Sequence, residues 1–590
     1  MIAIITEKAI IARQIAAALN VDTQTENEGY FQGRGYMLVW AGGELISLSP
    51  PEDYGKKRLA KDPLPFIPDA FSLTVRKKET GRRRITDRAA VKQLDAIKKV
   101  FDACESIIAA TDSGEEGELL FRRIYAYLGC EKPFKRLWIN FLTLPSIRHG
   151  IKNPKESAWY DNVLSAADCR VKADYLINFN ASRAFSLSTG LVKYPVGWAL
   201  TPTLAIVCRR YHQRRNYIST RFFKHCITLE KDSLFLRLTR PGTTKNKRKA
   251  EKIYRRLKTV HEVRITKMET GRRLQPSPLL YNLMDLQRDA NTCYGFSAAK
   301  TQEIALHLFE EKLISYPLTE SRHIPEEVFP TLPKIIRQTT DYCEMTDRLY
   351  STGIDSLNRR SVAGNTDASR HHALLPTGVY PGYQTRDGKV VYHLIVRRTL
   401  EAFAPDCQKE VVRVEAACLD IVFESIKSRI LAPGWRSIQN RDENREEDEA
   451  KEEETFPVFM EGETVCLSGW NLLTHKTLPP ARYTEAGLLT AMEETGLGTA
   501  GTRASLIETL LSCGYLEHQG ASLVSVEKGL VAYNHVKNMR IADPQLAGSW
   551  EKTLADVREG RQNADTFMTM IKIYTRQVTD EILSLNRTKR

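Results

Sequence analysis

Short apolar runs alternate with helical stretches over about the first 150 residues of this chain, and this pattern constrains the fold most. Short apolar strands that alternate with helices, whose apolar residues recur at helical spacing, predict an α/β unit with a mostly parallel sheet. The predicted strands are residues 2–5, 37–40 and 107–110, and the predicted helices are Ala9–Leu19 and 89–101. The first run is preceded by no basic flank and followed by no cleavage site, so we expect a buried strand and no signal peptide there.

Carboxylates follow two of these strands directly. Glu7 comes after the first strand and Asp112 after the third. Open α/β sheets form their sites at the carboxyl edge, so both side chains are expected there. Glu116 lies within reach of the same point if a helix begins near Gly117. Oxygen ligands of this kind suit Mg²⁺, although either carboxylate alone is more simply a strand end or a helix cap.

The remaining 440 or so residues are enough for further domains, because one core rarely exceeds about 250–300 residues. Helical spacing is present at 166–183, at 297–313 with Ser297 as N-cap, and through the C-terminal third, whereas 260–270 and 411–425 alternate like strands. Segment 440–454 is acidic and of low complexity, which predicts a solvated linker.

The charge distribution favours a polyanionic partner. The net charge is +14, and because segment 440–454 alone contributes −6, the rest of the chain carries +20. Each basic cluster could be a solvated face, but together they favour nucleic acid, with binding that weakens as salt rises. The clusters are 82–84, 209–210 with 214–215, 245–249 and 255–256.

Cysteine and apolar patterns exclude several classes. Eleven cysteines occur singly with no CxxC pair, which indicates reduced thiols and neither a zinc ribbon nor a disulfide framework. No run of about 20 apolar residues exists, so no spanning helix and no membrane partner are expected.

A tyrosine in the string Ile314-Ser-Tyr-Pro-Leu-Thr-Glu-Ser-Arg322 could present its phenol to a phosphodiester, although most tyrosines in such a context simply pack. Together with Ile4-Ile-Thr-Glu-Lys8 and Ala109-Ala-Thr-Asp-Ser-Gly-Glu-Glu-Gly-Glu118, in that order, it resembles the type IA DNA topoisomerases. The carboxylates resemble the TOPRIM metal site of that family. Further strings are similar to the bacterial topoisomerase III branch, among them Gly197-Trp-Ala-Leu-Thr-Pro-Thr-Leu204, His371-His-Ala-Leu-Leu-Pro-Thr-Gly378 and Gly496-Leu-Gly-Thr-Ala-Gly-Thr-Arg503.

The resemblance implies a multidomain α/β toroid. Its expected parts are a TOPRIM domain at 1–150, a helical domain from 151–215 and 465–590, a β-rich arch from 216–270 and 380–464 and a tyrosine-bearing domain at 271–379. It also implies cytoplasmic location in a bacterium, a monomer acting chiefly on single-stranded DNA, and room for a helicase partner.

The resemblance assigns a role to each matching residue. Tyr316 would attack the phosphodiester to leave a 5′-phosphotyrosyl bond, Glu7 would handle the proton of the sugar oxygen, and Lys8 and His371 would contact the phosphate. Asp112 and Glu116 would hold Mg²⁺. The expected DNA-binding residues are Arg183, Thr201, Thr319, Arg322, Thr502 and Arg503.

Several positions depart from the family pattern. Gly114 replaces an acidic residue, Glu115 an Arg, and Trp198 and Leu200 an Arg and a Gln, while Leu318 stands where an Arg is expected at the scissile phosphate. Trp198 could instead stack on a base. The departures leave open an impaired paralogue that only binds single-stranded DNA, and losing one preorganised donor costs roughly 100- to 1,000-fold. A TOPRIM primase or nuclease is disfavoured because the match runs through Pro544.

Overall fold

The computed structural model describes residues 1–23, 29–55, 63–80, 83–338, 357–363, 371–379, 381–382, 384–438 and 457–585. The predicted acidic linker 440–454 and Arg82 of the first basic cluster lie outside these residues. No helix in the described ranges combines the length and apolarity that crossing a membrane requires.

A six-stranded sheet forms the N-terminal unit. Its strands lie side by side in the order Lys155–Glu156, Phe134–Arg136, Ser106–Ala110, Ile2–Thr6, Tyr36–Trp40 and Tyr30–Gly33. The four inner strands are parallel and the two edges antiparallel, with Thr6 level with both Ala110 and Trp40. The predicted α/β unit is confirmed.

Both faces of this sheet are covered by helices, because successive residues of a strand point to opposite sides. Ile4 packs in one core with Ile11, and Ile5 packs in another with Ile97. The helices are Ala9–Leu19, Arg88–Ala103, Glu115–Tyr127 and Leu144–Lys152. Smaller strand pairs are Ile46–Leu48 with Leu73–Val75 and Lys77–Thr80 with Arg83–Thr86, and a 3-10 turn spans Pro51–Tyr54.

Six antiparallel strands close a barrel. Their order is Arg221–Lys231, Leu234–Thr239, Ile421–Ala432, Cys407–Cys418, Glu262–Gln275 and Thr464–Lys476, with the helix Lys247–Leu257 packed against the first and last of them. The prediction of one strand over 411–425 is wrong, because the chain reverses at Leu419 and Asp420, where Leu419 is left-handed with φ 58°. The barrel also extends past the expected boundary at 464, through the strand that ends at Lys476.

A helical body packs around the long helix Asp161–Thr189, whose apolar residues share one core with the C-terminal helices. Those helices are Leu200–Arg215, Glu485–Glu494, Ala500–Ser512, Glu527–Val536, Pro544–Arg558 and Ala564–Leu583, and the hairpin Leu516–Gln519 with Ser522–Ser525 joins them. 3-10 turns span Ser157–Tyr160 and Arg540–Ala542.

The segment that carries Tyr316 is built on the helices Leu283–Tyr294, Ala298–Glu310, Leu332–Gln338 and Arg386–Phe403. Ser297 is the N-cap of the second, as predicted, since its hydroxyl accepts from the Lys300 amide at 3.1 Å. A short pair joins Ile324–Pro325 to Val362–Ala363, and 3-10 turns span Phe329–Thr331 and Gly434–Ile438. The apolar residues of this segment, including Ile314 and Tyr316, continue the core on one face of the N-terminal sheet.

Candidate active site

Glu7 and Asp112 lie together at the carboxyl edge of the N-terminal sheet, as the sequence predicts. The strands before them are neighbours in parallel register. The Glu7 carboxylate accepts a hydrogen bond from the Asp112 backbone, and the Glu7 carbonyl accepts one from the Gly42 amide at 2.8 Å. Two chain segments more than 100 residues apart thus meet at one point.

Glu116 joins this edge because the helix after Asp112 packs tightly against the strand end. The helix begins at Glu115, two residues before the predicted start. A Cβ on Gly117 would lie 2.1 Å from the Asp112 carbonyl oxygen, so only glycine fits there. The Thr111 hydroxyl donates to the Gly117 carbonyl at 2.7 Å and ties the strand to the helix.

Arg136 holds the backbone around Asp112 in place, a role that the sequence analysis missed. It is fully buried and donates to the Asp112 carbonyl at 2.6 Å, to the Ala109 carbonyl at 2.7 Å and to Glu118 at 2.9 Å. The guanidinium therefore fixes the backbone that presents Asp112. An arginine directly before the apolar run Leu137-Trp-Ile139 was the available signal, because a buried charge needs partners.

Each of the three carboxyls at this edge has a raised pKa. Burial first, and then the negative charges of Asp112 and Glu116, raise the pKa of Glu7 to about 7, although Lys8 opposes the change. Burial is also the main cause of the raised pKa of Asp112 and of Glu116. A divalent cation would relieve this repulsion, so the donor set fits Mg²⁺ in chemistry. Within the described ranges, however, no three His, Cys, Asp or Glu side chains form a closed metal site.

Tyr316 lies over this loop. Its side chain is 5% exposed and packs edge-on against Phe309, with ring centroids 5.3 Å apart. Its amide donates to the Asn140 carbonyl at 3.0 Å, and a Cβ on Gly114 would lie 3.8 Å from the phenol oxygen. Burial, followed by the charges of the carboxylates below, raises the pKa of the phenol well above its ordinary value. A cavity of only about 20 Å³ remains beside the ring, so the site is closed.

His371 packs against Tyr316 with ring centroids 4.2 Å apart. Its Nδ1 lies 2.5 Å from the Asn140 side-chain amide, and its Nε2 contacts the Ser113 carbonyl. Burial, with the charges of neighbouring His372 and Arg136, lowers the pKa of His371 to about 3, so the ring is neutral. The Asn140 Oδ1 and the Ser113 carbonyl oxygen both accept, so the single proton of the neutral ring can be donated to only one of them.

Lys8 is paired with an acidic residue of the tyrosine-bearing segment, while its charge still acts on Glu7 and Asp112. Its ammonium forms an ion pair with Glu310, at the end of the helix Ala298–Glu310, and Gln14 donates to the Glu310 carbonyl at 2.6 Å. Burial lowers the pKa of Lys8, but the hydrogen bond and charge of Glu310 outweigh it and raise the pKa overall. This pair links the N-terminal sheet to the tyrosine-bearing segment across the closed site.

Comparison with known proteins decides the family. The family model described as DNA topoisomerase matches residues 158–569. The chain is 31% identical over 618 aligned positions to DNA topoisomerase 3 of Bacillus cereus, covering 99% of this chain and 82% of that protein. The chain belongs to the type IA DNA topoisomerases, in the topoisomerase III branch.

Other matches agree with this family. DNA topoisomerase 3 of Shouchella clausii is 30% identical over 98% of this chain and 81% of its own length. The solved structure of full-length topoisomerase I from Thermotoga maritima has the same fold, with a TM-score of 0.74, 21% identity, and coverage of 98% of this chain and 90% of that one. The chain is thus an isomerase that changes DNA topology through transient single-strand cleavage and a phosphotyrosyl intermediate, with DNA as its partner.

The residues that depart from the topoisomerase pattern have defined surroundings. A Cβ on Gly501 would lie 3.9 Å from a Glu116 carboxylate oxygen and 4.0 Å from Leu318, so both side chains border Gly501. Glu115 pairs with Arg558 at 3.1 Å and with Arg170 at 3.8 Å.

Trp198 does not offer a face to a base. It is 2% exposed, lies in the helical core, and its indole donates to Asp174 at 2.5 Å. The suggested base stacking by Trp198 is therefore wrong in this closed conformation. Leu200 begins the helix Leu200–Arg215 two positions later.

The residues expected to bind DNA lie in two places. Near the site, Thr319 donates to the His371 carbonyl at 3.0 Å. Arg322 pairs with Asp285 and Glu493, and the charge of Glu493 also reaches Arg503, which donates to the Leu497 carbonyl at 3.1 Å. The other three contact residues of their own or an adjoining segment. The Thr502 hydroxyl accepts from the Thr499 amide at 2.8 Å, the Thr201 hydroxyl accepts from the Gly197 amide at 3.0 Å, and the Arg183 guanidinium lies 6.0 Å from the centre of the Phe179 ring.

Proposed function

We propose that Tyr316 is the nucleophile of this topoisomerase. The observation that carries the proposal is the position of its phenol oxygen over the loop that follows Asp112, beside Glu7. The phenol would lose its proton to water that enters with the phosphodiester, and its oxygen would form a bond to phosphorus while the bond from phosphorus to the 3′ oxygen breaks. Because the buried phenol holds its proton, cleavage requires the site to open and admit the phosphodiester.

Glu7 supplies the proton that the leaving 3′ oxygen needs. A carboxyl whose pKa is about 7 is protonated in a large fraction of molecules near neutral pH, which is the state that a general acid requires. Resealing would reverse the transfer. Lys8 can contact the phosphate only after it leaves Glu310, so we propose that the ion pair breaks when the site opens. Neutral His371 would then donate from Nε2 to the phosphate in place of the Ser113 carbonyl.

Asp112 and Glu116, with Glu7 beside them, would hold Mg²⁺. The raised pKa of each carboxyl is the electrostatic reason, since each gains from a nearby cation. The ion would neutralise charge and orient the 3′ end for resealing. The protein's own contribution is the rigid loop held by Arg136.

We also propose the finer properties of the DNA partner and of the cell context. The chain would act chiefly on single-stranded regions, through Arg183, Thr201, Thr319, Arg322, Thr502 and Arg503, as a monomer in the bacterial cytoplasm. A helicase is a suitable partner because it exposes single strands. The proposed domains are 1–150, 151–215 with 465–590, 216–270 with 380–464, and 271–379, except that the arch extends through the barrel strands ending at Gln275 and Lys476 and the helix Arg386–Phe403 belongs with the tyrosine-bearing segment.

A cleavage assay tests this proposal. Single-stranded oligonucleotides labelled at the 5′ or 3′ end are incubated with the wild type, Tyr316→Phe and the matched control Tyr125→Phe, with and without Mg²⁺. We expect a covalent adduct on the 5′ phosphate with the wild type and control only, and resealing on adding Mg²⁺. Binding without any adduct would mean that the chain holds single-stranded DNA but does not cleave it.

A further inference from the structure

A cavity of about 540 Å³ lies where the helical body meets the barrel. It is bounded by the end of the helix Leu200–Arg215, the hairpin around Gln519, and the connection that leaves the barrel after Lys476. That connection is bonded to the one entering the barrel, since the Thr477 amide donates to the Thr220 carbonyl at 2.9 Å. The cavity therefore lies beside the two connections through which the chain enters and leaves the barrel, and we call this end the root of the barrel.

Four arginines line this cavity, three of them from the basic cluster 209–210 with 214–215, and no carboxylate does: Arg210, Arg214, Arg215 and Arg482. Three of these arginines donate hydrogen bonds to uncharged acceptors. Arg210 donates to the Ala481 carbonyl at 2.5 Å and Arg214 to the Pro480 carbonyl at 2.5 Å, whereas Arg482 bonds the Gln519 side chain. None of the four is within 4.0 Å of a carboxylate oxygen belonging to a described residue.

Two of these arginines hold neighbouring segments together, and the other two are exposed and can bind a ligand. Arg210, stacked 4.1 Å from the Tyr483 ring, and Arg214 fix the connection to the helix. Arg215 and Arg482 are exposed at the rim. Four positive charges without an opposing carboxylate repel one another, so an anion bound between them would be stabilised. Guanidinium groups match phosphate oxygens in geometry.

We propose that this cavity binds the phosphodiester backbone of DNA at a second site, separate from the cleavage site. Tyr211 also lines the wall, and aromatic side chains in such grooves stack with bases. The cavity lies about 20 Å along the helix from Thr201, at 1.5 Å per residue, so it holds a different part of a long strand. The choice of DNA among polyanions rests on the proposed function. Bound there, DNA would contact the helical body and the root of the barrel together.

The test compares Arg215→Ala/Arg482→Ala with Arg88→Ala/Lys92→Ala, which removes two exposed charges from an outer helix of the N-terminal sheet. Each pair is placed in the full-length Tyr316→Phe background, and binding of a 30-nucleotide single strand is measured by fluorescence anisotropy from 50 to 200 mM NaCl. Two lost phosphate contacts reduce the salt slope by about 1.4. Between 50 and 200 mM NaCl, the fold loss of affinity should thus be roughly seven times larger for the Tyr316→Phe parent than for Arg215→Ala/Arg482→Ala in that background. The control should match its parent.

A photo-crosslinking oligonucleotide locates the contact. We expect crosslinks on the peptides that carry Tyr211 or Tyr483, and excess unlabelled oligonucleotide should remove them. An unchanged salt slope, or a slope change without these crosslinks, would overturn the proposal. A failed cleavage assay with a reduced slope here would refute Tyr316 chemistry and leave this site standing.

Discussion

Replacing Glu7 by Gln should stabilise the N-terminal sheet, and more so as the pH rises. The pKa of Glu7 is about 7 in the folded chain against an ordinary 4.5. As the pH rises, the Glu7 carboxyl therefore loses its proton first in the unfolded chain. The folding stability that is present below pH 4.5 is lost as the pH rises to 7 and beyond. From these two values the cost is about 2 kcal/mol at pH 6 and about 3 kcal/mol at pH 8. Gln at this position does not titrate.

Hydrogen exchange of the amides in the strand Ile2–Thr6 measures this effect, because the strand directly precedes Glu7. With EDTA present, the ratio of the wild-type exchange rate to that of Glu7→Gln should increase roughly tenfold between pH 6 and pH 8. Glu131→Gln, an exposed carboxylate in the same unit, serves as the control and should show a constant ratio. A pH-independent ratio for Glu7→Gln, or one that falls with pH, would refute the assigned electrostatics of this edge.

Three other substitutions test the surroundings of the site. Gly117→Ala places a Cβ 2.1 Å from the Asp112 carbonyl, so we expect a loss of at least about 2 kcal/mol in urea unfolding, and a stability equal to wild type would contradict the packing. Arg136→Met leaves buried Glu118 paired with Arg122 but without its Arg136 partner, and it removes the donor to the Asp112 carbonyl, so it should cost about 3 kcal/mol, of which a second change, Glu118→Leu, should restore part; equal stability of single and double variants would argue against the pair. Leu318→Arg adds a donor near the carboxylates and should raise the single-turnover cleavage rate, by up to about 100-fold, whereas an unchanged rate would show that this side chain does not reach the phosphate.

The sheet and its carboxylates were predictable because their signals are local. Apolar runs of strand length and the position of Glu7 and Asp112 after them define the edge. The barrel was less accessible, since 411–425 keeps its alternation through the reversal at Leu419 and the turn has no Gly or Pro to mark it.

The contacts that complete the site could not be found from the sequence. Lys8 and Glu310 are 302 positions apart, and nothing near Glu310 distinguishes it from an ordinary helix-terminal carboxylate. Asn140 is recognisable only once His371 and Tyr316 are seen beside it. The burial of Trp198 depends on helices from both ends of the chain, so its exposure could not be read from its neighbours.

The most direct test of the central claim identifies the residue joined to DNA. The wild-type chain is mixed with a single-stranded oligonucleotide, denatured to trap the adduct, digested with protease and nuclease, and sequenced by mass spectrometry. The account predicts a 5′-linked nucleotide on Tyr316, in the peptide that contains Ser315 and Pro317. A nucleotide on any other residue, or a trapped adduct that persists in Tyr316→Phe, would contradict it.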